Sequence, residues 1–254
     1  MHDNLKKQRK PLLLKQAIYA VGLLFSVVTV QAQVDLEGGL VAYYPFNGNA
    51  NDESGYFNDG VTVNTVLTTD RFENADSAYD FSNAYISIQS SDSLESPTTE
   101  LTMAAWVNML PSATFLPVLM KSGSSTNAFQ YRMYVSQNGI GTSINDWDNG
   151  VGSQVAISTG EWHLVVATLK EGVISGYLDG ELIDTDNITG GSTINLDTHE
   201  LQIGRDTPGA TEYFEGKIDD VRIYNRAINA AEVAALFNEN QYRWIFKNGF
   251  ETLE

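Results

Sequence analysis

The sequence predicts an all-β protein, an antiparallel two-sheet β-sandwich or jelly roll, on three observations. Short runs of β-branched and aromatic residues alternate with polar ones at a period near two from Leu40 to Tyr224. Gly, Asn, Asp and Ser break those runs at close intervals, as tight turns require. Helical stretches do not alternate with the runs, which argues against a parallel α/β sheet.

The chain opens on a different pattern. Lys6, Lys7, Arg9, Lys10 and Lys15 precede an apolar run of 14 residues from Ala17 to Val30, ended by Gln31-Ala32. About 20 residues are needed to span a bilayer. A basic head, a short apolar middle and a small-residue exit predict a secretory signal peptide over residues 1–32. An uncleaved membrane anchor is the alternative. Export would carry the protein to the cell surface or the outside, with the periplasm as the other destination. No second apolar span follows, so no membrane span is expected in the mature chain.

Strands are predicted at Val61–Val63, Tyr85–Ile88, Leu101–Val107, Tyr131–Val135, His163–Leu169, Val173–Leu178, Leu201–Gly204 and Ile218–Tyr224. Leu178-Asp179-Gly180-Glu181 places Asp-Gly between the Val173–Leu178 strand and a following one and predicts a two-residue hairpin, because the pair accepts positive φ angles. One helix follows the last strand: Asn229 caps it, Glu232 completes a capping box, and Val233, Leu236 and Phe237 form its apolar stripe. It is expected to pack against the sandwich edge. With no repeat and no linker, one domain is predicted over residues 37–239, followed by a short aromatic tail, 240–254.

The 254 residues are 43% hydrophobic and 11% aromatic, enough to close a core, and they contain no Cys. Disulfide scaffolds, thiol catalysis and zinc–thiolate sites are thereby excluded. Thirty-two acidic against 15 basic residues give a net charge of −17, which disfavours nucleic acid as a partner. Residues 1–32 hold five of the basic residues and one of the acidic ones, so their removal deepens the charge to −21.

Five stretches carry a family resemblance. They are Gly39-Leu40-Val41-Ala42-Tyr43-Tyr44-Pro45-Phe46-Asn47-Gly48 running on to Gly55, Leu101–Val107, Gly160-Glu161-Trp162-His163-Leu164-Val165-Val166-Ala167, Gly176-Tyr177-Leu178-Asp179-Gly180, and Phe214–Ala227. In this order, over roughly residues 38 to 239, the chain resembles the laminin-G-like, concanavalin A-like jelly rolls of bacterial secreted and surface proteins. The resemblance implies the fold and leaves the function open, since this sandwich hosts lectins, glycosidases, adhesion modules and spacers.

Structural calcium is the first cofactor to consider. The loop from Asn47 to Gly60 carries Asn47, Asn49, Asn51, Asp52, Glu53, Asn58 and Asp59, and calcium takes six to eight such oxygens. Asp219 shares strand parity with Val221 and Ile223, and a carboxylate in phase with apolar residues needs a partner. The resemblance implies a calcium joining the early loop to the Asp of the last core strand, carried over to Asp52 and Asp219 with backbone carbonyls near Asn58 and Gly60. The competing reading makes these residues turn formers, with Asp219 paired to Arg222 or Lys217.

A second loop, Asn145 to Gly150, holds Asp146, Trp147 and Asp148. A flat ring among carboxylates suits a sugar, and these three are the expected ligand-binding residues; hairpin packing is the plainer alternative. Counted from Asp146, the twelfth position is Ile157, which argues against a calcium hand. Enzymatic signatures are missing: no Glu-x-Asp-x-x-Glu run, no Gly-x-Ser-x-Gly elbow, and only His163 and His199 beyond the leader. His163 is read as packing or surface, and Trp106 and Trp162 as core or sheet-edge anchors. The expected function is a non-catalytic exported module binding an extracellular glycan or surface protein. A structural or adhesive envelope protein without a small ligand is the alternative.

Overall fold

Asp179 and Gly180 take φ angles of 51° and 88°, and Leu178 pairs with Glu181 across them. This is the predicted hairpin, closed by residues that tolerate the left-handed region. The computed structural model in which it is seen describes residues 34–112, 114–122, 129–145, 150–188, 193–206 and 212–239. Contacts divide the chain into Met1–Gln33 and Val34–Glu254. The expected signal peptide, the residues Asp146, Trp147 and Asp148, and the tail lie outside the described residues.

In chain order the strands begin with β1 (Leu40–Tyr44), β2 (Val61–Val63), β3 (Val66–Thr68), β4 (Ala78–Asp80), β5 (Tyr85–Ile88), β6 (Leu101–Met109), β7 (Leu116–Ser122) and β8 (Phe129–Ser136). They continue with β9 (Gly139–Asn145), β10 (Gly150–Gly152), β11 (His163–Lys170), β12 (Val173–Leu178), β13 (Glu181–Asn187), β14 (Leu201–Ile203) and β15 (Gly216–Tyr224). Two short helices are α1 (Asp92–Glu95) and α2 (Ala230–Asn238). The eight-stranded sheet runs β13-β12-β11-β6-β15-β4-β3, with β1 added to the C-terminal half of β15. The seven-stranded sheet runs β10-β9-β8-β7-β14-β5-β2. All pairings are antiparallel, as a sandwich built from hairpins and long returns requires.

Alternation along β6 decides which side chains enter the core. Leu101, Met103, Ala105 and Val107 meet Ile218, Val221 and Ile223 of β15 and, from the other sheet, Ile86, Leu119, Met133 and Leu201. Ala104 and Trp106 point the other way, into a second apolar cluster with Leu164 and Val166 of β11. That outer face is apolar and must be covered. Val233 and Leu236 of α2 cover it, so the helix lies on the outer face of the eight-stranded sheet and reaches its edge strand β13. Burial of each such side chain contributes about 1.5–3 kcal/mol. The predicted capping box is formed: Asn229 Oδ1 accepts from the Ala231 and Glu232 amides, and Glu232 Oε2 accepts from the Asn229 amide.

A bulge interrupts β15. Asp219 pairs with Trp106 and Arg222 with Ala104, leaving two residues opposite one, and Asp220 takes a φ of 46°. Strand parity is therefore reset between Asp219 and Val221. Val221 and Ile223 face the core, whereas Asp219 shares the outer side with its neighbour Trp106. The helix α1 has no counterpart in the sequence reading; Ser91 Oγ accepts from the Leu94 amide and the Leu94 side chain is buried. No helix among the described residues is long and apolar enough to cross a membrane.

Candidate functional site

Asp52 lies in the loop after β1 and is surrounded by donors. Its Oδ1 accepts from the Tyr43 and Ser54 amides, both at 2.9 Å, and its Oδ2 accepts from the Asn58 amide at 2.9 Å. The Asn58 side chain donates to the Val41 carbonyl and to Ser93 Oγ, and the Asn58 carbonyl accepts from the Tyr44 hydroxyl at 2.8 Å. The Asn- and Asp-rich loop is thus a hydrogen-bonded clamp that ties itself to β1 and α1.

Asp219 has a different partner. Arg71, in the β3–β4 loop, donates from Nη1 to Asp219 Oδ2 at 2.8 Å and bridges Asp220 Oδ2 through Nη2 at 2.6 Å. The Asp220 amide donates to Asp219 Oδ1 at 2.7 Å, and the Tyr43 hydroxyl donates to Asp220 Oδ1 at 2.9 Å. Burial and the neighbouring Asp220 push the Asp219 carboxyl up, and the Arg71 guanidinium opposes them. Neither Arg222 nor Lys217 is the partner; Arg222 pairs with Glu239 at 2.6 Å.

The donor set around Asp52 and Asp219 does not fit one shared calcium. Calcium needs converging oxygens, and these carboxylates face amides and a guanidinium. Among the described residues no group of three or more His, Asp or Glu is arranged to hold a metal ion. The cation beside Asp219 is Arg71, which a reading based on sequence proximity had no means to select.

Arg71 leads to the candidate site. Its guanidinium carbon lies 4.4 Å from the ring centre of Trp106 and 4.7 Å from that of Phe72. Asp70 holds this loop by accepting from the Phe72 and Asn74 amides, each at 2.8 Å. Trp106 stacks on Phe237 of α2, with ring centres 5.7 Å apart and planes at 17°. Arg71, Phe72, Trp106, Trp162 and Phe237 line an open cleft of about 320 Å³. Trp106 is buried, while Phe72, Trp162 and Phe237 are half-buried and present ring surface. Arg71 Nε is buried with no acceptor among the described residues.

Trp106 and Trp162, read from the sequence as anchors, therefore share this cleft. Arg71, Phe72 and Phe237 were not singled out as site residues; the Asp70-Arg71-Phe72 triplet in a turn was the available signal. His199 lies 2.7 Å from Asp197 on the surface, and His163 bonds Asp179.

Comparison with known proteins agrees with the architecture. The family model of the concanavalin A-like lectin/glucanases superfamily matches residues 80–234. A curated relative, adhesion G-protein coupled receptor V1 of Danio rerio, is 27% identical over 169 residues; the match spans 61% of this chain and 3% of the receptor. Among solved structures, the binding domain of Paraclostridial Mosquitocidal Protein 1 superposes with a TM-score of 0.63 at 17% identity, over 80% of this chain and 53% of that one. Domain 4 of AbnA, a GH43 extracellular arabinanase from Geobacillus stearothermophilus, in complex with arabinotriose, gives 0.59 at 17% identity, over 78% of this chain and 97% of that one. The binding domain of Botulinum Neurotoxin DC in complex with SialylT gives 0.62 at 13% identity, over 82% of this chain and 53% of that one. At these identities the structural likeness is one of fold.

Proposed function

The chain belongs to the concanavalin A-like lectin/glucanases superfamily, and from that membership we propose that it is a non-catalytic, exported binding module whose aromatic cleft recognises an extracellular glycan. The cleft carries the reading. Ligand sites combine apolar walls with a few fixed polar groups. A sugar ring offers an apolar C–H face to an aromatic side chain and hydroxyls at its rim. Trp162 and Phe72 supply the ring faces, and the Arg71 guanidinium is the fixed polar group of the wall. Two of the structural neighbours are binding domains by title, and the arabinanase domain was solved with arabinotriose. Asp146, Trp147 and Asp148, which follow β9 in the sequence, are the second candidate contact.

A glycan array probed with the purified protein, with and without calcium, tests this function. Binding to a defined glycan set is expected, reduced at least tenfold by Trp162→Ala with little change in melting temperature. Loss on Trp147→Ala and not on Trp162→Ala moves the site to residues 146–148. An array without binding overturns the glycan reading. Export is checked by N-terminal sequencing of the protein recovered outside the cytoplasm, where the chain is expected to begin at Gln33.

A further inference from the structure

Trp162 stands between two residues of one hydrogen-bonded chain. Ser158 Oγ donates to Glu161 Oε2 at 2.7 Å and lies 2.6 Å from Nε2 of His163, whose Nδ1 lies 2.7 Å from Asp179 Oδ2. Asp179 is itself fixed by the hairpin: its Oδ1 accepts from the Leu164 amide, and its own amide donates to the Leu164 carbonyl, both at 2.9 Å. The chain thus runs from the loop before β11, through the first residue of that strand, to the β12–β13 turn.

Proton counting decides its state. A serine hydroxyl has one proton, and Ser158 gives it to Glu161, so its oxygen accepts from Nε2–H of His163. The carboxylate of Asp179 accepts from Nδ1–H. In this arrangement both ring nitrogens donate and His163 is in its imidazolium form, the form that the hydrogen bond to Asp179 favours. In this form Nε2 already carries a proton and does not take one from the serine, as a nucleophile relay requires. The charged groups facing the ring are Asp179 from the turn and Glu161 from the loop, and β6 presents neutral Val107 opposite His163.

We propose that the Glu161–Ser158–His163–Asp179 chain is a pH-sensitive clasp that positions Trp162; its bearing on ligand binding rests on the cleft being the ligand site. When the imidazolium loses its proton, Nδ1–H stays on Asp179 and Nε2 becomes an acceptor. Ser158 then turns its proton from Glu161 to Nε2. Glu161, directly before Trp162 and exposed, is released, and the segment that carries the Trp162 ring into the cleft loses a tether.

The test is the indole N–H signal of Trp162 in nuclear magnetic resonance of the full chain, followed from pH 5.5 to 8.5 beside the ring signals of His163. Trp162→Phe identifies the first and His163→Gln the second. The indole signal is expected to shift with the same midpoint as the His163 ring, above pH 6.5, and Ser158→Ala is expected to remove that shift while His163 still titrates. Ser158 is exposed, so this variant serves if His163→Gln does not fold. An indole signal that stays flat while His163 titrates overturns the clasp. No ligand is involved, so an empty glycan array bears on the cleft's role and leaves the clasp to be decided by the indole signal.

Discussion

Arg71 donates to Asp219 at 2.8 Å across 148 residues of sequence, and its guanidinium rests on Trp106, the residue paired with Asp219 in the β15–β6 ladder. One cation thus bridges two adjacent buried carboxyl groups and forms one wall of the cleft. Removing one partner of a buried ion pair leaves an uncompensated charge, a loss of about 3–5 kcal/mol. Arg71→Met is expected to destabilise the fold by that amount in urea denaturation. Adding Asp219→Asn to Arg71→Met is expected to recover part of it, because it removes one of the stranded charges.

Chelation provides a separate check. Since Asp52 and Asp219 are occupied by amide and guanidinium donors, excess EDTA is expected to leave the melting temperature of the protein unchanged. A fall in melting temperature that calcium restores would return a structural metal to the early loop.

The pH dependence of stability has a defined sign at His163. Its hydrogen bond to Asp179 raises its pKa above 6.5 against the effect of burial, with the charges of Asp179 and Glu161 adding to the rise. The folded state therefore holds the proton more tightly than the unfolded state. The stabilisation is complete below about pH 6.5, the unfolded value, and declines as pH rises through the folded value. Asp179→Asn keeps a residue that tolerates a φ of 51° and is expected to flatten this decline in denaturation curves taken between pH 6 and 9.

Helix α2 supplies Phe237 to the cleft, so its cap matters twice. Asn229→Ala removes the acceptor for the Ala231 and Glu232 amides and is expected to cost about 1 kcal/mol. Weaker glycan binding is expected to accompany it, because Phe237 stacks on Trp106 only while the helix is docked. Thermal melting and a repeat of the array measure the two effects.

Features whose partners lie within a few residues were readable from the sequence. The Asp179-Gly180 hairpin depends on two backbone conformations, and the Asn229–Glu232 capping box closes over three residues. Strands β2, β5 and β12 occupy the predicted runs because alternation is a local property of the chain. Strand β7 did not stand out, since it is buried at every position, and β13, mostly exposed and polar, was implied only by the hairpin that precedes it. The sequence placed α2 at the sheet edge but did not show that it also covers the outer face, because a helix's own sequence marks its apolar stripe and not the surface that receives it.

By itself the sequence determined the two-sheet class, the main hairpin, the terminal helix with its cap, and a family resemblance that the matched superfamily bears out over residues 80–234. Tertiary structure alone decided the cation at Asp219 and the candidate site. The bulge at Asp220 reverses the facing of Asp219, and strand parity carries no record of a bulge. The cleft draws Arg71 and Phe72 from a loop, Trp106 from β6, Trp162 from the start of β11 and Phe237 from α2. Such a site exists only after the β-ladders have brought distant segments together, because pairing register, and not spacing along the chain, sets which side chains meet.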